Sequence, residues 1–502
     1  MQPAKAICSS AMGEGVKQSA RWDQGFPLTE AQRRAATHEG GPLIVLAGPG
    51  SGKTRTLVAR AACLAAPVSR GGKGVDPSSI LAVTFTVKAA EQLRERLLEL
   101  AGFQAAERIK ASTFHSFGRS IVLRFGDTLD LPASLTVMDS AMRKEALRDA
   151  IRQTGALADR AREGFDRLAQ EMDDFITAAK RHALDAAACA EGLKQWRASI
   201  YADSEAAEAE EAAWRRCSAR CAVYKAYEAL TLARGWISLE DYMLLAVRIL
   251  RRSEDVRALV RSDIRHIIVD EFQDVNRSQL ELLSLLAPQE DADICVVGDD
   301  DQAIYGFRGA EPQAFERFAE RWPKHATIKL EANFRSAEAI VRAGDVIISN
   351  AATRFDPEKR IHAATPAERM AVGAEPLRET GQLQGVYVDA AADLGEAAAL
   401  AALVEKQRRP DLPWSSIAVL ARNSGNVERA QLALELRGVP CAVAHTSKPV
   451  EHPQVKTLIA WLRLAADPAD EHHTQRALYE PPLAVEGERI VQWRRAWRSD
   501  GA

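Results

Sequence analysis

A strand, a glycine-rich turn and a helix follow one another without a gap between residues 43 and 62. The apolar run Leu43–Ala47 predicts a buried strand, GPGSGKT follows it, and a helical spacing of apolar residues begins directly afterwards. Backbone N–H groups of such a turn close around phosphates, and the helix N-terminus adds a partial positive charge. The order constrains the chain to an α/β fold of the P-loop type. The alternative, a chance Lys-Thr pair after an ordinary glycine turn, does not explain the strand and the helix.

The glycine-rich turn carries the side chains that nucleotide chemistry needs. We expect Lys53 to reach the β- and γ-phosphates of ATP and the Thr54 hydroxyl to hold Mg²⁺. Ala47 stands where this motif usually has glycine, a change that leaves the lysine and the hydroxyl in place. The other predicted ATP contacts of the turn are Gly48, Pro49, Gly50, Ser51 and Gly52.

Two neighbouring carboxylates follow a second buried strand. Asp270 ends the apolar run 267–269, and the carboxyl ends of parallel strands face the crevice in which α/β sheets bind ligands. We therefore predict that Asp270 binds Mg²⁺ and that Glu271 orients and deprotonates a water molecule. A further strand at 294–297 precedes Gln302, which we expect to sense the γ-phosphate.

An aromatic and basic cluster comes just after Gln302. Tyr305 and Phe307 offer faces on which nucleic-acid bases stack, an interaction of roughly 1–3 kcal/mol per base. Arg308 follows them, and Phe85 ends another apolar run. For Phe85, a core aromatic at the end of a strand is the alternative interpretation.

Composition neither supports nor excludes a nucleic-acid partner. The net charge is −3 and the isoelectric point is near 6.4, so DNA binding would have to use a local groove. The seven scattered cysteines and the lack of a secretory signal predict the reducing cytoplasm, and no apolar run is long enough to predict a membrane span. Cys217 and Cys221 lie one helical turn apart, but no second Cys or His pair completes a tetrahedral metal site, so we favour packing.

The pattern along the chain predicts α/β segments interrupted by a long helical insert. We expect a flexible leader at 1–22, a helical insert at 118–235 that lacks strand-like runs, and an acidic helix with a solvated face at 204–214. The stretch 353–378, rich in Pro, Glu and Arg, predicts a loop or linker. The predicted strands are 43–47, 80–85, 109–112, 264–269, 294–297, 327–330, 385–388 and 417–420.

The order of these motifs resembles the UvrD/Rep/PcrA-type superfamily 1A DNA helicases from Leu28 to about Pro482. The segments that carry the resemblance are LTEAQRRA, AGPGSGKTRT, TFTVKAA, STFHSFG, VDEFQD, GDDDQAIYGFRGA, LEANFRS and IAVLARN. The resemblance implies two RecA-like parallel-sheet motor domains, each with a helical insert, ATP and Mg²⁺ as cofactors, and 3′-to-5′ motion on single-stranded DNA. It places the first motor domain at 23–117 and 236–311, an incomplete second one at 312–480, and the start of a second insert at 481–502.

The resemblance also implies roles for particular residues. Gln32 is expected to read the adenine edge, Arg55 to contact the nucleotide, and Phe334, where the family often has Tyr, to stack on adenine. Arg335 is expected to reach the γ-phosphate from the second motor domain, an arrangement worth roughly 10³–10⁵ in rate, although a surface arginine is the alternative. The predicted catalytic residues are Lys53, Glu271, Gln302 and Arg335. The predicted DNA contacts are Phe85, Thr86, Thr113, His115, Tyr305, Phe307 and Arg308. Of these, His115 rests mainly on the resemblance.

The sequence departs from the family pattern in three places. Val87 stands where the family usually has Asn, and Ser424 stands where it often has Asn. The late motifs, a TxHxxKGLE-like segment and an arginine-rich TRA-like segment, are absent from the 502 residues. Because those motifs complete the second motor domain, we expect a C-terminal region to be supplied by a continuation of the chain or by a partner chain.

Two classes of function follow from the sequence. The first is an ATP-dependent 3′-to-5′ DNA helicase or translocase that acts on single-stranded and tailed duplex DNA in repair or replication. The second is an ATP- and DNA-binding module that does not unwind DNA without a C-terminal region or partner chain. A small-molecule P-loop kinase, the third possibility, explains neither YGFRG nor NFRS.

Overall fold

The computed structural model describes residues 21–200, 207–351, 353–376, 382–387, 395–409, 412–443 and 453–466, with residues 474, 477 and 478. The chain divides into two compact units, Met1–Leu383 and Gln384–Ala502. None of the helices in these described ranges is long and apolar enough to cross a membrane.

The described part of the chain alternates strands and helices. The strands are β1 (Leu43–Ala47), β2 (Ile80–Thr84), β3 (Lys110–Thr113), β4 (Thr136–Val137), β5 (Trp236–Ile237), β6 (His266–Val269), β7 (Ile294–Gly298), β8 (Ala326–Leu330), β9 (Ala332–Asn333) and β10 (His362–Ala363). The helices of the first unit are α1 (Glu30–Thr37), α2 (Lys53–Ala65), α3 (Val87–Ala101), α4 (Phe103–Ala106), α5 (Phe114–Phe125), α6 (Ser140–Thr154), α7 (Ala158–Arg181), α8 (Ala186–Ile200), α9 (Ala207–Ala233), α10 (Leu239–Arg252), α11 (Glu254–Asp263), α12 (Arg277–Leu286), α13 (Ala314–Arg321), α14 (Glu338–Ile348) and α15 (Pro366–Ala371). The second unit contains α16 (Gly395–Lys406), α17 (Ser424–Leu436) and α18 (Pro453–Ala466).

Six strands form one parallel sheet in the order β3-β2-β6-β7-β1-β8. In a parallel sheet all carboxyl ends lie at the same edge, which is where α/β folds place their ligands. The turn after β1, the carboxylates after β6 and the loop after β7 therefore meet at one edge. The predicted α/β class with a parallel sheet is confirmed, and five predicted strands (43–47, 80–85, 109–112, 264–269 and 294–297) correspond to β1, β2, β3, β6 and β7.

Strand β1 is apolar throughout because both faces of the sheet are covered. Ile44 and Leu46 belong to a core shared with α5, α10, α12 and α13. Leu43, Val45 and Ala47 face a second core that includes residues of α1, α2 and α3. A strand buried on both sides needs apolar residues at every position, which explains the continuous run in the sequence.

The helical insert has a core of its own. Residues such as Met142, Met172 and Tyr224, from α6, α7 and α9, form it. A buried ion pair of 2.8 Å between Lys180 and Asp241 joins α7 to α10. The predicted helical character of 118–235 is confirmed, but the prediction that strands are missing there is wrong, since β4 pairs with β5. Of the acidic segment 204–214, the described part opens α9.

Strand β8 lies at the edge of the first sheet. The strand predicted at 327–330 is present, and it pairs with β1, with Leu43 opposite Ala326. The pairing of an edge strand depends on a distant partner that local sequence does not reveal. The predicted boundary between the two motor domains stays a prediction. Residues 385–387 and 417–420 are not strands, and residue 388 lies outside the described residues.

Two segments predicted as loop or leader contain buried residues where the structure describes them. The described part of the loop or linker predicted at 353–378 is mostly loop, but residues 362–363 form β10, residues 366–371 form α15, and Lys359 is completely buried. Most of the leader predicted at 1–22 lies outside the described residues. Trp22 is nevertheless buried, and its backbone N–H donates to the carbonyl of Arg70 over 3.0 Å.

Candidate functional site

The P-loop follows β1 directly and closes on itself. Gly52 takes a left-handed conformation, with φ of 86°, at the start of α2. The Ser51 hydroxyl donates to the carbonyl of Gly48 over 2.7 Å, and Lys53 Nζ donates to the carbonyl of Ala47 over 3.2 Å. The ammonium group of Lys53 is thus held at the carboxyl end of β1, where the phosphate contacts were predicted.

The side-chain amide of Gln32 is hydrogen-bonded to the P-loop. It is the third residue of α1, and the Thr29 N–H donates to Gln32 Oε1 over 3.0 Å in a capping box. Gln32 Nε2 donates to the carbonyl of Ser51 over 2.9 Å, and the side chain is buried. The residue predicted to read adenine therefore lies against the phosphate-binding turn.

Arg55 lies beside the same segment. Its Nη2 donates to the carbonyl of Pro27 over 2.7 Å, and its guanidinium carbon lies 4.2 Å from the centre of the Phe26 ring. Burial, with a smaller contribution from Arg96, lowers the pKa of Arg55. These contacts hold the Arg55 side chain against Phe26 and Pro27. Its contact with a nucleotide stays a prediction.

The NFRS segment packs directly on the P-loop. The Phe334 N–H donates to the carbonyl of Gly50 over 3.0 Å. A Cβ atom at Gly50 would lie 2.7 Å from Asn333 Oδ1 and 2.8 Å from Arg335 Cβ, and φ at Gly50 is 67°. Glycine is therefore required here by both backbone conformation and space. The same Asn333 oxygen accepts the N–H groups of Arg335 and Ser336, each over 2.8 Å.

Arg335 is exposed beside the P-loop, as a γ-phosphate contact requires. It follows β9 by two residues and belongs to the same compact unit as the P-loop. The assignment of this arginine to a second motor domain stays a prediction, and β8, which precedes it, pairs within the first sheet. Sequence reasoning did not give a role to Asn333, although its place inside NFRS was the available signal.

Three carboxylates, Asp270, Glu271 and Asp274, follow β6, and Asp270 is buried while the other two are partly buried. Asp270 is 5% exposed, and its Oδ1 accepts the N–H of Glu271 over 3.0 Å. Glu271 has a φ of 49°, a left-handed conformation that is uncommon for a residue with a side chain and is often found at functional sites. Asp274 Oδ1 is buried without a hydrogen-bond partner. The hydrogen bonds of the described residues therefore leave one carboxylate oxygen of this site without a partner.

The pKa values of these groups show an excess of negative charge. Burial, followed by the charge of Glu271, raises the pKa of Asp270 to about 7, while the nearby charge of Lys53 opposes the rise. The same two causes raise the pKa of Asp274 to about 6. Carboxylate and hydroxyl oxygens are ligands that Mg²⁺ prefers, so Asp270 and Thr54 fit the predicted cation.

Gln302 is connected to Glu271 through a chain of hydrogen bonds. Gln302 Nε2 donates to Asp299 Oδ2 over 2.6 Å, and the Asp299 N–H donates to Gln273 Oε1 over 3.0 Å. Gln273 Nε2 in turn donates to Glu271 Oε2 over 2.9 Å. Gln273 and Asp299 were not predicted to be functional, although both lie inside the motifs that the sequence singled out.

Three aromatic side chains, Phe85, Tyr305 and Phe307, form what we call the aromatic row. Phe85 stacks on Tyr305 with ring centres 6.3 Å apart, and Tyr305 lies 5.9 Å from Phe307. The Arg308 guanidinium lies 5.0 Å from the Tyr305 ring and 5.6 Å from the Phe307 ring. Phe85 is 38% exposed and Phe307 is 80% exposed, so the core interpretation of Phe85 is wrong. Such a row suits stacking by bases.

The polar residues near the aromatic row differ in accessibility. Thr86 is exposed and caps α3 by accepting the N–H of Ala89. Thr113 is buried, and its hydroxyl caps α5 through Ser116, so a phosphate contact would have to replace that bond. Burial lowers the pKa of His115, which favours its neutral form. The DNA contacts predicted for these three residues stay predictions.

Arg181 was missed by the sequence analysis and links the helical insert to the aromatic row. It ends α7, and its Nη1 donates to the carbonyl of Arg308 over 2.8 Å. Its Nη2 pairs with Glu240 over 3.0 Å. The sequence carried no signal for this contact, because Arg181 and Arg308 are far apart along the chain.

Comparison with known proteins agrees with this geometry. The family described as "UvrD/REP helicase N-terminal domain" matches residues 28–323, more than half of the chain. The chain belongs to the UvrD/REP helicase family. A second family, "UvrD-like helicase C-terminal domain", matches residues 328–493 of the same UvrD/REP chain. The resemblance seen in the motifs is thereby confirmed.

Several helicases are similar to this UvrD/REP-family chain over most of its length. ATP-dependent DNA helicase Rep of Escherichia coli (strain K12) is 30% identical over 463 residues, which cover 91% of the chain and 61% of that relative. ATP-dependent DNA helicase PcrA of Staphylococcus aureus (strain Mu50 / ATCC 700699) is 29% identical over 457 residues, covering 91% of the chain and 56% of that relative. The chain thus spans less than two thirds of the length of both proteins.

Proposed function

We propose that this chain is an ATP-dependent DNA motor, a helicase or translocase that couples ATP hydrolysis to 3′-to-5′ movement on single-stranded DNA. The observation that carries the proposal is the continuity of the loop after β7. Gln302 is hydrogen-bonded into the chain that reaches Glu271, and Tyr305 and Phe307 follow it in the aromatic row. One short loop thus joins hydrolysis chemistry to a base-stacking surface. The direction of movement follows from the resemblance of the motifs.

In the nucleotide half, each side chain has a separate task. Lys53 contacts the β- and γ-phosphates, and Thr54 and Asp270 would hold Mg²⁺, which would supply positive charge to neutralise the phosphates. Glu271 accepts a proton from the attacking water, and Arg335, beside Gly50, stabilises charge on the transferred phosphoryl group. Gln302 contacts the γ-phosphate, so the loop after β7 responds to whether the bound nucleotide carries one. Base and ribose contacts come from Gln32, Arg55 and Phe334.

In the DNA half, the aromatic row stacks on successive bases without regard to their identity. Arg308, with Thr86, Thr113 and His115, contacts phosphate or sugar, so binding weakens as salt concentration rises. We expect single-stranded and tailed duplex DNA as partners and a place in DNA repair or replication. The reducing cytoplasm, where ATP and DNA occur together, suits a chain whose described cysteines are all free.

The test is ATP turnover with and without single-stranded DNA, followed by displacement of a strand from duplexes with a 3′ or a 5′ tail. The proposal expects turnover to rise about tenfold or more with DNA and only the 3′-tailed duplex to be unwound. Lys53→Ala serves as the control that removes nucleotide binding. Turnover that DNA does not change overturns the proposal. Stimulated turnover without unwinding identifies the second class, a module that requires a C-terminal region or partner chain.

The aromatic row has a test that does not involve turnover. Phe307→Ala is expected to lower affinity for single-stranded DNA by about tenfold or more, from the loss of roughly 1–3 kcal/mol of stacking. Phe103→Ala is the matched control, because Phe103 is another exposed phenylalanine that lies on α4, outside the row. Fluorescence anisotropy with an oligonucleotide at several salt concentrations measures both variants. Equal affinities for wild type and Phe307→Ala would show that Phe307 is not a stacking residue.

A further inference from the structure

A buried lysine lies in the middle of three consecutive aspartates, Asp299, Asp300 and Asp301, which we call the acid loop. The side chain of Lys359 is 0% exposed. Its Nζ lies 2.7 Å from Asp299 Oδ1 and 2.9 Å from Asp301 Oδ2, and it also contacts Asp300 Oδ1. Arg354 adds a second cation, since its Nε and Nη2 each donate to Asp301 over 2.7 Å.

The ammonium group takes the place that a metal ion would take. The three aspartates offer one oxygen atom each within 4.8 Å of one another, an arrangement that can hold a cation. Burial alone would lower the pKa of Lys359, but the charges and hydrogen bonds of Asp299 and Asp300 outweigh burial and raise it, so the lysine is charged. The acid loop therefore carries its own cation, supplied by a residue about 60 positions later in the chain.

Stability alone is a weak reason for such a cluster. Replacing buried ion pairs by apolar side chains of similar size is often neutral or stabilising, so net stability does not by itself explain this cluster. Here the geometry that it fixes is that of Asp299, whose other carboxylate oxygen accepts the Gln302 amide over 2.6 Å. Lys359 and Gln302 thus hold opposite oxygens of one buried carboxylate.

The segment that carries Lys359 also touches the P-loop. We call residues 354–364 the clamp segment. Ile361 packs so closely on Gly48 that a Cβ atom at that glycine would overlap its side chain. The Ala364 N–H donates to the carbonyl of Asn333 over 2.8 Å, and β10 pairs with β9 in parallel. The clamp segment therefore contacts the phosphate-binding turn at one end and the acid loop at the other.

We propose that Lys359 is a positioning residue that orients Gln302 through Asp299, so that the clamp segment couples nucleotide at the P-loop to the acid loop and the aromatic row. This inference rests on the proposed function, because it names the contact by which the nucleotide half communicates with the DNA half. A movement of Ile361 with the P-loop would displace Lys359, and with it the carboxylate to which Gln302 is bonded.

The first test measures coupling without DNA and without turnover. Hydrogen exchange is followed by mass spectrometry in wild type and Lys359→Met, with and without a non-hydrolysable ATP analogue and Mg²⁺. In wild type we expect the analogue to protect both the P-loop peptide, residues 43–56, and the loop after β7, residues 298–309. In Lys359→Met we expect protection of the P-loop peptide to remain and protection of residues 298–309 to be lost. Equal protection of residues 298–309 in both proteins overturns the proposal.

Lys329→Met is the matched control. Lys329 Nζ pairs with Asp356 over 2.6 Å and therefore ties the same clamp segment to β8, but it does not reach the acid loop. We expect this variant to behave like wild type in the exchange experiment. Loss of protection at residues 298–309 in both lysine variants would show that the effect comes from loosening the segment rather than from the ammonium group, and would overturn the assignment to Lys359.

A kinetic test separates this inference from the proposed function. Lys359→Met is expected to keep the KM for ATP within about twofold while kcat in the presence of single-stranded DNA falls about tenfold or more. If turnover of the wild type does not respond to DNA, the proposed function fails, and the exchange experiment still decides the role of Lys359. An unchanged kcat in Lys359→Met, in a wild type that does respond, counts against the inference.

A bound cation should replace the missing ammonium group. Asp300 and Arg354 also line a cavity of about 580 Å³, which gives an ion access to the acid loop. Ca²⁺ is therefore expected to raise the Tm of Lys359→Met but not of Lys329→Met, and the absence of any difference contradicts the assigned charge role. If Lys359→Met does not fold, Lys359→Met combined with Asp300→Asn restores part of the charge balance and is used in the same exchange experiment, with the same outcomes.

Discussion

Two groups of three carboxylates follow neighbouring strands, β6 and β7, and they differ in what neutralises them. The first group is Asp270, Glu271 and Asp274, and the second is the acid loop, Asp299, Asp300 and Asp301. In the described part of the chain the first group forms no ion pair with a lysine or arginine, whereas Lys359 and Arg354 both lie within the second. The first group thus suits a cation that arrives with the nucleotide, and the second already contains one.

The pKa values follow this difference. In the first group, burial and the neighbouring carboxylate raise the pKa of Asp270 to about 7. In the second, burial alone would raise the pKa of Asp301, but hydrogen bonds and charges from Arg354 and Lys359 outweigh burial and lower it. Two acidic motifs that look alike in sequence therefore have carboxyl pKa values shifted in opposite directions. The downward shift in the second comes from Arg354 and Lys359, which lie more than 50 residues later in the chain.

The largest expected effect is on catalysis by the first group. Glu271→Gln removes the proposed general base and should lower ATP turnover by roughly 10²–10⁴ while ATP affinity is kept. Turnover and equilibrium nucleotide binding are measured separately. Glu281→Gln is the control and should change neither, because Glu281 on α12 forms an exposed pair with Arg251 on α10. Turnover of Glu271→Gln close to that of wild type would remove Glu271 from the mechanism.

The two groups should respond to loss of charge with opposite signs. At about pH 8 without Mg²⁺, Asp270→Asn removes an unpaired buried charge and should raise the free energy of unfolding by about 1–2 kcal/mol. Asp299→Asn leaves Lys359 with one fewer counter-charge and should lower it by roughly 3 kcal/mol. Urea denaturation measures both variants against wild type. The same sign for both would show that the two groups are not electrostatically different.

Mg²⁺ should change how stability depends on pH through the first group. Because the pKa of Asp270 is raised in the folded state, its contribution is fully present below the ordinary pKa, about 4, and is lost as pH rises through about 7. Without Mg²⁺ we expect the free energy of unfolding of the wild type to fall by about 2 kcal/mol over this pH range, relative to that of Asp270→Asn. Saturating Mg²⁺ with nucleotide should remove this difference. A difference between the two proteins that Mg²⁺ does not alter would contradict the assignment of Asp270 as a ligand.

The smallest expected effect is at acid pH and belongs to the second group. The pKa of Asp301 is lowered, so its contribution is present above about pH 4 and is lost as pH falls through the folded value. As the pH falls below about 4, the free energy of unfolding should therefore decrease by about 1 kcal/mol less in Asp301→Asn than in wild type. Thermal unfolding at several acid pH values measures this, with Asp159→Asn on α7 as an exposed control. Identical acid profiles for wild type and Asp301→Asn would mean that the pairing adds no net stability.

The placement of the residues proposed to bind nucleotide could be predicted because the signals for it are local in sequence. Lys53 and Thr54 follow a strand and a glycine turn within twelve residues, and Asp270 and Glu271 follow β6 directly. Each of these side chains is placed by its own strand end, so the pattern of apolar runs was sufficient. The aromatic row was predictable for the same reason, since Tyr305 and Phe307 lie on the loop after β7.

The clamp segment could not be predicted because its contacts are not local. Lys359 stands in a polar stretch with no periodicity, and nothing near it in sequence shows that its partners are Asp299, Asp300 and Asp301. For the same reason the pairing of β8 with β1 could not be predicted. The apolar run at 417–420 has the composition of a strand but no pairing partner among the described residues. The pattern of apolar residues indicates which residues can be buried, whereas the pairing of strands decides where in the fold they lie.

The hydrogen bonds of Gln32 have a consequence for the base contact that we propose for it. Its amide oxygen accepts the Thr29 N–H and one N–H of its amide nitrogen donates to the carbonyl of Ser51, so each group keeps one more position, a lone pair on the oxygen and a second N–H on the nitrogen. The two bonds to the protein fix which way these positions face. A base whose edge offers a donor and an acceptor in matching places would gain a hydrogen bond at each, about 0.5–1.5 kcal/mol apiece, whereas a base with the opposite pattern would leave both unmade. Discrimination would then come from the fixed orientation of one amide.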